Sequence, residues 1–268
     1  MTLDLVMWTK NGENTLPHVL PQINLVIPEK NINQRLIIDD ASVDKTRLIS
    51  ESYGWTVLNN EGSGISDGAN TALKNVESDH FICFEQDLFL AHDWFRKIPI
   101  LLSGKVAVAS GVRLPTNKSL RAINNYAIEK SRNKPYLYST LDNTICTTRI
   151  IREIGGFPKL KGSVGIDSAL KKKLSEHGFY WKVNHNVKSI HLKSCLGELK
   201  TQYWYGSNSQ EVAQVLKNRF FLMKSFLRLL FSPIRGLEIT FNERCLEVLA
   251  VYPALRLANF LGALKCSR

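Results

Sequence analysis

The chain has 268 residues, 44% hydrophobic and 22% charged, which is ordinary globular composition and enough length for one large buried core. Its formal net charge of +11 points to an anionic partner such as nucleotide phosphates, nucleic acid or an acidic membrane surface. The five cysteines, Cys83, Cys146, Cys195, Cys245 and Cys266, contain no Cys-x-x-Cys pair, which argues against a zinc ribbon or a disulfide framework and fits reduced thiols in a cytosolic setting.

The opening MTLDLVMWTK has no basic start followed by a long apolar run, so it reads as a strand and not as a signal peptide. LDLVMWT (3–9) is the first predicted strand, closed by the turn-like KNGEN. TLPHVLPQINLVI (15–27) carries Leu16, Val19, Leu20, Ile23 and Val26 at helical spacing; Pro17 suits a first turn, and Pro21 is expected to bend the helix. RLIIDDAS (35–42) is strand two, DKTRLISES (44–52) a helix ended by Gly54, WTVLNN (55–60) strand three and SDGANTALKNV (66–76) a further helix. HFICFEQ (80–86) and KVAVASGVRL (105–114) are strands four and five. This alternation predicts an α/β fold with a mostly parallel sheet flanked by helices on both faces.

In open sheets of this kind, ligands bind at the carboxyl ends of the strands. Strand one ends in Thr9-Lys10-Asn11-Gly12-Glu13, strand two in Asp39-Asp40-Ala41-Ser42 and strand four in Glu85-Gln86-Asp87. A single acid at such a place caps the next helix, which is the expectation for Asp44 and Asp67. Several acids on one rim repel one another unless a cation lies among them.

Five stretches, in order, carry a family resemblance: the first strand with NGENTL; IIDDASVDKT (37–46), similar to a DDGS-x-D-x-T pattern; NEGSGISDGAN (60–70); FEQD (84–87) in the place of a metal-binding DxD; and IREIGGFPKLKGSVGIDSALKKKLSEHGF (151–179). Together they make the chain resemble the inverting family 2 glycosyltransferases of GT-A (Rossmann-like) fold, over roughly residues 3–206. The resemblance implies a nucleotide-sugar half over about 1–104 and an acceptor half over about 105–206. A basic helical region is expected over 207–268.

The resemblance also assigns roles. Asp87 would bind Mg²⁺ or Mn²⁺, whose Lewis acidity stabilises a departing nucleoside diphosphate. Glu85, two residues earlier, is expected to point to the other side and to face the ribose or the outer shell of the metal. Asp39, with Asp40 second, would accept a hydrogen bond from the nucleobase. Thr9 and Glu13 would line the base and ribose pocket, and Asn70 and Gln86 would touch the nucleotide-sugar. His191, ending YWKVNHNVKSIHL (180–192), would complete the metal site or contact the diphosphate, with Lys193 beyond it. Asp167 is the candidate general base, with a helix N-cap as its other role. Three departures stand out: Ile166 replaces the first acid of a pair, Gly68 replaces an arginine, and QYWYG (202–206) lacks the arginine of the QxxRW pattern of processive relatives. Single-sugar transfer from a UDP- or GDP-sugar is therefore expected, to a hydroxyl or phosphate acceptor such as a lipid-linked glycan or lipid-phosphate carrier.

LKNRFFLMKSFLRLLFSPIRG (216–236) is apolar with only basic charges, Lys217, Arg219, Lys224, Arg228 and Arg235. Helical spacing sets Lys217, Lys224, Arg228 and Arg235 in a stripe opposite the Phe, Leu and Met residues, as in helices that bind a membrane surface. CLEVLAVYPALRLANFLGALK (245–265) is nearly long enough to span, but Glu247, Pro253 and Arg256 interrupt it, and a central Arg costs roughly 2.5–3.5 kcal/mol on insertion. The expectation is a peripheral protein on the cytoplasmic face of a membrane; packing on the catalytic domain or a homodimer is the alternative. Two other function classes fare worse. A Rossmann-type dehydrogenase or methyltransferase needs a glycine fingerprint that KNGEN does not supply. A nucleic-acid binder would show a recognition signature, and none stands out. A nucleotide-sugar binder that has lost catalysis stays open through Gly68 and Ile166.

Overall fold

The computed structural model describes residues 1–132, 140–160, 162, 164–216 and 220–266; Lys217 and Arg219 of the expected basic stripe lie outside them. The described elements are, in order, β1 (Leu3–Thr9), α1 (Leu16–Val26), β2 (Ile32–Asp39), α2 (Thr46–Ser52), β3 (Thr56–Asn59), α3 (Gly64–Asn75), β4 (His80–Glu85) and β5 (Leu88–Phe89). There follow α4 (Trp94–Lys97), β6 (Val106–Pro115), α5 (Lys118–Ser131), β7 (Asn143–Thr147), α6 (Thr148–Glu153), α7 (Ile166–Glu176) and β8 (Tyr180–His191). Five helices close the chain: α8 (Cys195–Ser207), α9 (Ser209–Val215), α10 (Phe221–Leu230), α11 (Ser232–Glu243) and α12 (Val248–Cys266).

The eight strands form one mixed sheet in the order β3-β2-β1-β4-β7-β6-β8-β5. Parallel pairing, expected for most of the sheet, is confined to β3, β2, β1 and β4, where each helix carries the chain back over a face. Beyond β4 the ladders to β7, β6–β7 and β5–β8 are antiparallel. Alternation along the strands serves two cores. Leu3, Leu5 and Met7 of β1 pack with Ile37, Ile82, Phe84 and the buried face of α1. Val6 and Trp8 point the other way, toward Ile38, Phe81, Ala69 and Leu170.

Pro21 does not interrupt α1. A proline cannot donate to the carbonyl four residues back, and that carbonyl, of Pro17, accepts instead from the Tyr53 hydroxyl at 3.4 Å. Asp4 is the one acid within β1 and is fully buried. Its carboxylate accepts from Asn33 Nδ2 (3.0 Å), Gln34 Nε2 (3.0 Å), Ser78 Oγ (2.8 Å) and the backbone N–H groups of Glu77 and Ser78. Burial alone would raise its pKa, but these donors together hold it below the ordinary value.

Two compact units divide the chain. The first comprises Met1–Arg113 with Pro135–His191, the second Leu114–Lys134 with Leu192–Arg268. The boundary expected near residue 206 is thus not where the units part, because α8 belongs with the C-terminal helices. α8 and α12 cross at Gly206 and Gly262, where a Cβ would come within 2.0 Å of the Asn259 carbonyl and 2.1 Å of the Tyr203 carbonyl. In the same unit, Tyr126 of α5 is hydrogen-bonded to Glu238 and to Arg235 of α11.

Two outcomes are expected in denaturant titrations. Ala41 stands where the DDGS pattern has glycine and adopts φ +56°, a left-handed conformation costing a side-chain-bearing residue roughly 1–2 kcal/mol. Ala41→Gly should therefore stabilise the chain by about 1 kcal/mol. Asp4→Ala, which leaves five donors without their acceptor, should destabilise it by about 2–4 kcal/mol at pH 7. Because folding depresses the Asp4 pKa, its contribution is present above the unfolded value near 3.8 and is lost as pH falls through the folded one. The difference between wild type and variant should accordingly shrink in acid.

Candidate functional site: a carboxylate cluster at the strand ends

The opening feature of the site is a turn. β4 ends at Glu85, residues 86–87 turn, and β5 then pairs antiparallel with β8 so that Leu88 lies opposite His191. The turn is clipped by the Gln86 amide, which accepts from the Lys10 N–H at 2.9 Å and donates to the Lys10 carbonyl at 3.1 Å. The expectation that Glu85 and Asp87 point to opposite sides is not met: residues i and i+2 of an extended chain share a face, and oxygen or nitrogen atoms of Glu85, Asp87 and His191 all lie within 4.8 Å of one another. His191 Nε2 is 3.1 Å from Asp87 Oδ2, and the imidazole is almost fully buried.

Two further side chains, not anticipated from the sequence, complete the cluster. Arg113 on β6 pairs with Asp142, which precedes β7, and with Glu85 at 3.4 Å. Asp142 is 1% exposed, and its Oδ1 has no hydrogen-bond partner among the described residues. Burial and the Asp142 charge push the Glu85 carboxyl up to about 8; Arg113 opposes this, while Asp87 and Asp167 add to it. The signal for Arg113 was a lone cation at the end of an otherwise apolar strand, VAVASGVRLP; for Asp142 it was an acid directly before the apolar run of β7. Neither belongs to a spaced motif.

Asp167 lies in the first turn of α7, whose N-cap is Gly165 at φ +74°. The expected capping role falls to neither its side chain nor its position; Asp167 Oδ1 accepts from the Leu141 N–H at 2.8 Å instead. Burial, then the Asp142 charge, raise its pKa to about 6, against the pull of Arg113 and of the Leu141 bond. Ile166, in place of the first acid of the family pair, is buried in the apolar core beside Leu170.

The remaining predicted residues divide into two groups. Asp39 is buried; its Oδ2 meets Arg47 at 3.2 Å and the Ser42 N–H at 3.4 Å, while Oδ1 has no partner among the described residues. Glu13, partly exposed, accepts from the Lys45 N–H at 3.2 Å. Thr9, Gln86, Asp40 and Asn70, by contrast, have their polar atoms engaged within the protein. The Thr9 hydroxyl donates to Gln86. Asp40 accepts from Asn60 Nδ2 (2.9 Å) and the Gly64 N–H (3.0 Å) and pairs with Lys10, fastening the loop before α3. Asn70 bridges both backbone groups of Phe157 at 3.0 Å and so pins the turn after Gly155-Gly156. At Gly68, any Cβ would lie 3.2 Å from that of Trp8, a close packing of α3 on β1. Asp44 and Asp67 are not the N-caps expected, a place taken by Lys45 and Ser63, though each bonds an N–H at a helix start, of Thr46 and Ser63, at 2.9 Å. Lys193 follows β8 in the second compact unit.

Two carboxylates and one imidazole converging within 4.8 Å fit a hard divalent ion, Mg²⁺ or Mn²⁺, with open positions for ligand oxygens. The raised pKa of Glu85 is that of a site short of positive charge. Folding raises Glu85 from 4.5 to about 8 and Asp167 from 3.8 to about 6, so the folded state holds protons that the unfolded state releases. Without divalent ions, unfolding free energy should therefore fall as pH rises from about 5 to 8. Glu85→Gln should flatten that fall. At pH 8, Mn²⁺ should raise the Tm of the wild type, and Asp87→Ala or His191→Ala should abolish the rise.

Known proteins share this fold. Solved structures of similar fold include a mannosyltransferase from Pyrobaculum calidifontis with GDP-Man and Mn²⁺ (TM-score 0.65, 17% identity, 96% of this chain and 73% of that one). A second is glucosyl-3-phosphoglycerate synthase from Mycobacterium tuberculosis with Mn²⁺, UDP and glucosyl-3-phosphoglycerate (0.54, 15%, 80% and 79%). A third is S. aureus TarS 1–349 with UDP-GlcNAc (0.56, 14%, 97% and 90%). At these identities the likeness is one of fold. No curated protein sequence matches the chain. Residues 4–154, more than half of the length, match the model of glycosyl transferase family 2, and the chain, a GT-A-fold glycosyltransferase, belongs to that family.

Proposed function

We propose that this glycosyltransferase moves a single sugar from a UDP- or GDP-sugar to a hydroxyl or phosphate acceptor, with inversion and with a divalent metal. The observation that carries the reading is the convergence of Glu85, Asp87 and His191 at the ends of β4 and β8. Asp87 and His191 would hold Mg²⁺ or Mn²⁺, with Glu85 alongside. When bound, such an ion neutralises the charge that develops on a nucleoside diphosphate as it leaves. Relatives of the same fold that hold GDP-Man with Mn²⁺, or UDP with Mn²⁺, support this donor class.

The chain's own residues supply the rest. Asp39 Oδ1, buried and without a partner among the described residues, is an acceptor suited to an N–H of the nucleobase. Glu13 edges the same loop, toward the ribose. Asp167 takes the proton from the acceptor hydroxyl; a carboxyl held near 6 is ionised at neutral pH yet more basic than an ordinary aspartate. Asp142 sustains that basicity, and Arg113 keeps Asp142 and Glu85 from driving each other apart. A base acting directly on the acceptor implies one displacement from the face opposite the leaving group, hence inversion. The acceptor reading, a lipid-linked glycan or lipid-phosphate carrier at the cytoplasmic face of a membrane, is supported by the apolar and basic character of residues 216–236.

Calorimetric titration of UDP and GDP, each with and without Mn²⁺, tests the donor site. Metal-dependent binding of one of them, lost in Asp87→Ala, is expected; a folded sample that binds neither would sink the reading. Asp167→Asn should keep nucleotide binding and lower kcat by about 10²-fold or more. Wild-type kcat should rise with pH through about 6, and a variant with near-normal turnover would remove Asp167 from the role of base.

A further inference from the structure

α10 buries the wrong side for an ordinary amphipathic helix. It packs on α12 through Ser225, whose hydroxyl is 3.1 Å from Asn259 Oδ1, and through a ring contact between Phe226 and Phe260. The large apolar side chains Phe220, Met223, Phe226, Leu227, Leu230 and Phe231 are left 39% to 61% exposed. At 3.6 residues per turn these six occupy one continuous arc of roughly 140°. Lys224 and Arg228 follow at one edge of that arc, and both are exposed. The basic residues thus border the apolar face instead of standing opposite it, which corrects the expected arrangement. Arg235 is engaged elsewhere, with Tyr126 and Glu238. α11 extends the surface: Ile234, Leu237 and Phe241, at i, i+3 and i+7, are exposed along one side while Gly236, Ile239 and Thr240 are buried.

We infer that the α10–α11 surface is a docking face for an anionic lipid bilayer, with the exposed Phe, Leu and Met side chains entering the acyl boundary and Lys224 and Arg228 meeting the headgroups. An apolar arc bordered only by cations matches an apolar interior below a negative surface. A second copy of the chain is the poorer occupant. Residues 216–236 contain no acid, so a two-fold contact through α10 would set cations beside cations with no counter-charge from that segment. α12 is long and apolar enough to cross a membrane. It is instead tied to α8 at the Gly206–Gly262 crossing and carries Arg256 over the Tyr252 ring at 4.8 Å, in mid-helix. The surface lies within one compact unit and does not depend on the donor-site reading.

The test is co-sedimentation of the full chain with phosphatidylcholine vesicles, with and without phosphatidylglycerol. Wild type should sediment with the anionic vesicles, more weakly as salt rises. Phe226→Ser with Leu230→Ser, both at exposed positions, should weaken binding by about tenfold or more. Lys224→Glu with Arg228→Glu should remove the preference for anionic vesicles. Calorimetric nucleotide titration of the same variants reports on the donor site separately and should be unchanged. Wild type left in the supernatant with both vesicle types would overturn the inference, as would serine variants that sediment like wild type. So would a dimer in analytical ultracentrifugation that the serine pair dissolves without any vesicle binding, since the face would then belong to a second copy. Cell membranes that retain the chain through high salt and alkaline washing would assign it a spanning helix instead.

Discussion

Among the described residues, four carboxylates cluster about the Arg113 guanidinium at the ends of β4, β6 and β8. Glu85, Asp87, Asp142 and Asp167 act electrostatically on one another, and Arg113 is the cation set among them by direct contact. Like charges at such separations raise one another's pKa, and a protein tolerates the cost only where the surrounding fold determines it. Here the fold does so with the Arg113–Asp142 ion pair, a two-strand antiparallel ladder and a short turn. The charge deficit that results is what suits the place to a divalent ion and a diphosphate.

Residues that an eye trained on motifs assigns to the ligand turn out to hold the frame. Gln86 clips the turn between Glu85 and Asp87 to the Lys10 backbone, and Thr9 bonds to Gln86. Asp40 fixes the loop before α3, and Asn70 on α3 pins the turn at Phe157. The departures from the family pattern also have local causes. Gly68 lies where β1 and α3 touch through Trp8, and Ile166 fills an apolar core position in which a second ionised carboxylate would lack a partner. Ala41 keeps the left-handed turn of a glycine at a cost in strain.

The second compact unit inverts the usual economy of helices. Small residues, Gly206, Ser225 and Gly262, let its helices approach closely beside a small core of Tyr126, Ile239, Cys245 and Val248, while bulky side chains of α10 and α11 face outward. In water that arrangement leaves apolar area exposed that packing against another helix would have removed. An acidic bilayer would cover it, and the same surface would bring a family 2 glycosyltransferase to acceptors carried there.

Much was legible without a structure. The α/β class, the strand ends and the acids Glu85 and Asp87 at one of them follow from local apolar periodicity, because those features depend on residues close in sequence; Asp167 and His191 come from the family resemblance that the ordered motifs carry. What the chain could not disclose is decided by groups distant along it. The meeting of His191 with Asp87 joins residues 104 apart, through the β5–β8 ladder. The Arg113–Asp142 pair and its effect on Asp167 join β6, the approach to β7 and α7. The antiparallel half of the sheet and the outward side of α10 depend likewise on which neighbour each element meets. Hydrophobic spacing shows that a helix has an apolar side; only tertiary packing decides whether that side is buried, because a small-residue crossing elsewhere can claim the interior first.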